Sequence, residues 1–204
     1  MKKIAIALMC TILATGAAMA QKQFTFGPKI GVDYTHYWGE NVNHGGQLNY
    51  QAGLFMEYRF TNKFSIAPEV VFAAQGGKYD VKRDIMGVPV EFKETDHVNY
   101  INVPVMLKFY VVPELSIDFG PQVGFNVYSK NTSEGKVASE SGKITTDMKE
   151  VTKTVDFGLG LGLTYNITSD VFVQGRYTMG LTDVFDYDHS GKNGNAQIAI
   201  GYRF

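Results

Sequence analysis

The chain has 204 residues, with 19 Lys plus Arg against 20 Asp plus Glu and a formal net charge of −1. That balance gives no support for a nucleic-acid partner. Its single cysteine, Cys10, lies in the N-terminal leader described next, so the rest of the chain excludes disulfides, cysteine-ligated metals and thiol catalysis.

The first twenty residues, MKKIAIALMCTILATGAAMA, combine Lys2 and Lys3, an apolar stretch from Ile4 to Leu13, and small residues at Ala18 and Ala20. This is the layout of a cleaved signal peptide, giving expected boundaries of 1–20 for the leader and 21–204 for one mature domain. Beyond the leader no apolar run reaches the roughly 20 residues of a membrane helix.

Period-two alternation then recurs along the whole chain. Strands are predicted at about 24–37, 49–60, from Phe64 onward, up to about Tyr110, and at 115–128, 154–166, 171–182 and 197–204. In each, one face is bulky and apolar, as in Val155, Phe157, Leu159, Leu161 and Leu163. The other face carries small residues and charges, as in Asp156, Gly158, Gly160 and Gly162. The turns at 61–63, 111–114 and 168–170 are short, whereas the connections near 38–48, 77–96, 129–153 and 183–194 are long and polar. Short turns on one side and long loops on the other predict an all-β, eight-stranded antiparallel up-and-down transmembrane β-barrel, with periplasmic turns and extracellular loops.

The charges decide which face looks inward. The polar face holds Lys29, Arg59, Lys108, Arg176 and Arg203 with Asp33, Glu57, Glu69, Asp118 and Asp156. Five cations and five anions among small residues suit a narrow lumen closed by mutual pairing, with the glycines leaving room for the longer side chains. The apolar face is almost free of charge. Its aromatics gather near the strand ends: Phe24, Phe60, Phe64, Phe109, Tyr165 and Phe204 by the short turns, and Tyr34, Tyr50, Phe72 and Phe125 toward the loops. Aromatic girdles of this kind mark membrane barrels. Pro28, Pro68, Pro104 and Pro121 fall within strands and remove ladder donors, which predicts local bulges or strand ends. A further bulge is predicted near Gly76–Gly77.

The segments NYINVPVMLKFY, IDFGPQVGFNVYSK, VDFGLGLGLTYNI, VQGRYTMGLTDV and the terminal IGYRF resemble the outer-membrane β-barrel family that includes the PorT proteins. The resemblance spans the mature chain and implies an OmpA/OmpX-like barrel in the outer membrane, in contact with lipid and with the barrel-assembly machinery. It implies no single activity. Tyr202 and Phe204 also resemble the terminal assembly signal of such barrels.

Chemistry-bearing motifs are sparse. GLGLG (158–162) lacks the G-x-G-x-x-G spacing and runs into TYNITSD rather than a helix, so it reads as lumen-facing glycine. His36, His44, His97 and His189 map to the long-loop rim, near Glu40, Asp96, Asp186 and Asp188, but no ligand spacing such as H-E-x-x-H is present. No catalytic residue, metal or cofactor is assigned. Segment 76–96 keeps a partial strand pattern and predicts a projecting hairpin, while 131–153 mixes Lys with Asp and Glu as a solvated surface. The sequence therefore predicts a monomeric, non-enzymatic barrel for surface interaction, adhesion or envelope integrity. Two alternatives remain open: an accessory of a protein secretion system, with a secretion-system or extracellular protein partner, and a lipid-modifying barrel enzyme.

Overall fold

The structure, a computed structural model, describes residues 23–39, 45–85, 88–137, 140–186 and 191–204. The expected leader at 1–20, Glu40, His44, Asp188 and His189 lie outside the described residues. Ten strands follow one another: β1 (Phe24–Trp38), β2 (Gln47–Arg59), β3 (Phe64–Gln75), β4 (Lys78–Ile85), β5 (Val88–Val112), β6 (Leu115–Val137), β7 (Glu140–Asp147), β8 (Val155–Asn166), β9 (Val171–Asp183) and β10 (Lys192–Tyr202).

Eight of them form a closed antiparallel ring in the order β1-β2-β3-β5-β6-β8-β9-β10, with β10 returning to β1. Closure leaves no edge in this ring, so each ladder finds a neighbour on both sides. The ring strands sit where the alternation places them. At the closing seam Ile200 stands opposite Ile30 and Ile198 opposite Val32. Beyond β10, the Phe204 amide still donates to Phe26 O at 2.8 Å.

The inside-out arrangement is direct. Along β8, Phe157, Leu161 and Leu163 are about half exposed, while Gly158, Gly160 and Gly162 between them are buried. On β1, Ile30, Val32 and Tyr34 face outward, whereas Lys29 and Asp33 are buried in the lumen. An apolar outer surface around a polar interior inverts the soluble arrangement.

The in-strand prolines do not cause bulges. Beside Pro68, Pro104 and Pro121 the ladder lapses for two positions and resumes in the same register. A missing N–H therefore costs hydrogen bonds without displacing the neighbours. The register shifts fall elsewhere, between Asn99 and Tyr100, Tyr110 and Val112, and Lys192 and Gly194. The expected bulge at Gly76–Gly77 is instead a clean break. Gln75 lies opposite Val98 and Lys78 opposite Thr95, so β4 continues β3 along β5 in one register. Gly76 takes φ 142°, a conformation L residues avoid, and its carbonyl accepts Thr35 Oγ1 at 2.9 Å.

The lumen is divided along its length. At the long-loop end Tyr37, Val98, Tyr100, Val184 and Phe185 form a buried apolar cluster, with Met148 against it. The segment after β7 is tied across this end by Lys153 N–H to Val184 O (2.9 Å) and Asp186 N–H to Val151 O (2.8 Å). Charges fill the middle, and the short-turn end opens into a cavity.

Glycine serves strand approach more than side-chain room. A Cβ on lumen-facing Gly120 would stand 2.0 Å from Val105 O of the adjacent strand, whereas one on Gly175 would meet nothing within 4 Å. Gly120→Ala should therefore lower the fraction of refolded protein that migrates as a compact, heat-modifiable band on gels, while Gly175→Ala leaves it unchanged. Equal behaviour of the two would contradict this packing.

Candidate functional site

The inward charges assemble around two carboxylates. Glu69, on β3, accepts Lys29 Nζ at 2.6 Å and a two-pronged contact from Arg176, Nη1 at 3.1 Å and Nη2 at 2.6 Å. Lys29 and Arg176 come from β1 and β9, so this cluster ties one side of the ring to the other. Fork-to-carboxylate pairing is the strongest form available to arginine. Lys29 Nζ also donates to Gln174 Oε1 (3.0 Å), and Gln174 Nε2 donates to Asp118 Oδ2 (3.2 Å). Asp118 receives Ser116 Oγ (2.6 Å) and Thr164 Oγ1 as well, with Lys108 Nζ at 3.9 Å.

Glu57 is the second centre, nearer the short turns. It accepts Tyr110 OH (2.5 Å) and Ser65 Oγ (2.8 Å), and has Lys108, Arg59 and Arg203 at 3.5, 3.7 and 3.8 Å. Eight of the ten charges read from the sequence thus meet in two linked groups. Asp33 and Asp156 stand apart toward the long-loop end. Gln51 donates to Asp33 (2.8 Å), and Thr182 and Asn193 donate to Asp156 (2.6 and 3.1 Å). Arg59 is the least enclosed, with its side chain 35% exposed at the mouth.

Residue type alone does not mark the neutral members of this network. Tyr110 bonds Glu57 and also lies under Arg59, 4.0 Å from the guanidinium. Phe172 points inward, edge-on to Phe55 (5.0 Å), with Arg203 over its ring at 4.6 Å. Their inward positions carry the signal, since each falls on the charged face of its strand. Glu69→Ala would leave Lys29 and Arg176 buried without their carboxylate and should cost about 3–5 kcal/mol in urea unfolding from lipid vesicles. Arg59→Gln, at the wet mouth, should cost below about 1 kcal/mol.

At the opposite end, β4, β5, β6 and β7 continue as a four-stranded sheet outside the ring. β4 pairs with the first part of β5, the latter with the end of β6, and β6 with β7. Lys143 on β7 pairs with Glu134 on β6 at 3.0 Å, and this hydrogen-bonded ammonium holds the Glu134 carboxyl below the usual carboxylate range. Segment 131–153 is thus ordered strand at its start rather than loop alone. The two rim histidines among the described residues, His36 and His97, are not brought together. His36 faces Tyr177 OH at 3.5 Å and lies beside the Tyr34 ring, and His97 is exposed opposite Lys130 on β6. Among the described residues no group of three or more His, Cys, Asp or Glu could hold a metal ion.

No curated protein matches the chain. Among solved structures it is similar to Ail, the attachment invasion locus protein of Yersinia pestis, at 14% identity, covering 89% of this chain and 99% of that one with TM-score 0.46. It is also similar to Neisserial surface protein A, at 12% identity, 89% and 97% coverage and TM-score 0.44. A third is OprG from Pseudomonas aeruginosa, at 12% identity, 89% and 95% coverage and TM-score 0.37. The family profile described as outer membrane protein beta-barrel domain matches residues 19–186. The chain belongs to the outer membrane protein beta-barrel domain family, and its barrel lies in the outer membrane with short periplasmic turns and long extracellular loops.

Proposed function

We propose that this is a non-enzymatic surface protein whose barrel anchors in lipid as a monomer, while the sheet β4–β5–β6–β7 engages an extended segment of a partner protein outside the cell. Strand addition to a free edge is the recognition mode, with main-chain hydrogen bonds supplying affinity. In this reading residues 1–20 are the leader removed on export. Tyr202 and Phe204 are what the assembly machinery recognises; Phe204 is 68% exposed on the outer face beside Phe26.

The observation that carries the reading is strand length. β5 has 25 residues and β6 has 23, whereas crossing the bilayer takes about 9–11 tilted residues. About half of each strand therefore stands beyond the membrane. There, among the described residues, β4 and β7 each pair on one side only, apart from the single Gly45–Lys78 bridge. β7, ESGKITTD, contains no proline and leaves Ile144 70% exposed, so its outer edge lacks a common device that blocks pairing. A merely solvated surface would not need paired strands to this length. A role in envelope integrity would use the same sheet against a neighbouring envelope component.

A PorT-like accessory role would instead place the partner on the periplasmic side and make the sheet dispensable. The decisive variant shortens both hairpins, removing 80–93 and 133–144. It should still yield a heat-modifiable barrel, yet lose at least about tenfold of the protein cross-linked to the cell exterior. Unchanged external cross-linking would refute the proposal, and lost secretion with unchanged external cross-linking would favour the accessory role.

A further inference from the structure

We propose that the periplasmic mouth of the barrel is a receptor for the free carboxyl terminus of a peptide. A cavity of about 470 Å³ opens there, lined by Glu57, Arg59, Glu114, Asn166 and Arg203 among others. Its size falls within the range of small-ligand sites, about 300–1,000 Å³. The apolar cluster of Tyr37, Val98, Tyr100, Val184 and Phe185 closes the far end of the lumen, so this cavity is reached from the periplasm.

Two buried polar atoms of opposite kind line it without hydrogen-bond partners. Arg203 is 8% exposed, and its Nη2 makes no hydrogen bond. The nearby Glu57 Oε2 is 3.8 Å from it, and Glu57 is already hydrogen-bonded by Tyr110 and Ser65. Asn166 Oδ1 is likewise unpartnered, while its Nδ2 donates to Pro113 O at 3.2 Å. A buried donor or acceptor left unmet is costly, and each such atom calls for a partner. A peptide end meets both: its carboxylate accepts from arginine and its amide N–H donates to the asparagine carbonyl.

The arginines are arranged for the same class. Arg59, Arg203 and Lys108 surround Glu57, and Lys108 shares Asp118. With Glu114 on the lining, three cations face three carboxylates, so the mouth is balanced in charge and recognition rests on the N–H groups of arginine rather than on excess charge. Both guanidinium planes are held against aromatic faces, Arg59 over Tyr110 and Arg203 over Phe172, which orients their N–H edges without consuming them.

The test uses the full refolded chain in detergent micelles, with arginine side chains ¹⁵N-labelled, titrated with N-acetyl-alanyl-alanine. Saturable shifts of two arginine Nε resonances are expected, absent with the C-terminal amide of the same peptide. Arg203 sits beside the terminal assembly residues, so Arg203→Gln risks misfolding; Arg59→Gln, at the wet rim, carries the test. It should weaken binding at least about tenfold while the barrel remains heat-modifiable. No saturable shift, equal binding of the amide, tighter binding of inorganic phosphate, or unchanged affinity in Arg59→Gln would each overturn the proposal.

Discussion

A narrow barrel in hydrocarbon has no water to spare for either face. Its backbone must be hydrogen-bonded all the way round, and any charge turned inward must be met by an opposite charge or by hydrogen-bond donors in the lumen. The Glu69 cluster answers the second demand, because β1, β3 and β9 each send one member to it. Pairing across the ring makes the charges a fastener between strands remote in sequence. It also fills the lumen, since eight strands enclose little more than their own side chains. In the proposed reading the protein is an anchored body rather than a conduit, and recognition falls to its two ends.

Those ends differ in kind. Outside, a wall of two long strands rises past the ring and gains a further strand on each flank, exposing main-chain edges. The apolar cluster around Tyr100 separates this sheet from the charged interior, and Lys149 Nζ reaches down to Asn126 Oδ1 at 2.6 Å, securing the segment that crosses the opening. At the periplasmic end no such cover is present among the described residues, and arginines stacked on Tyr110 and Phe172 face a cavity.

Much of the ring was legible in the sequence because lipid and lumen impose opposite chemistry on alternate residues. In β8 the Leu–Gly alternation states both the strand and its orientation. The extension was less legible for the converse reason: it lies beyond the contrast between lipid and lumen, and in β7 residues 142–147 are exposed on both faces, so nothing forces alternation. The partners of the charges were not legible either. Which cation meets Glu69 depends on the stagger of strands around the ring, and Arg176 lies 107 positions away in the chain. Glycine misled in part. Its presence on the inner face suggested room for long side chains, whereas Gly120 chiefly admits the backbone of the next strand. The prolines misled as to bulges: at Pro68, Pro104 and Pro121 a lost N–H interrupts the ladder without shifting its register.

The central claim is that the apolar face meets lipid and the polar face fills the lumen. Single nitroxide labels in the protein reconstituted into bilayers test it most directly, by collision with dissolved oxygen and with a water-soluble nickel chelate. Labels at Phe119, Phe125, Leu161 and Ile200 should show high oxygen and low nickel accessibility, while those at Ser116, Gln122, Thr164 and Gln197 should be shielded from both. High oxygen accessibility at the second set, or nickel accessibility along the first, would contradict the account.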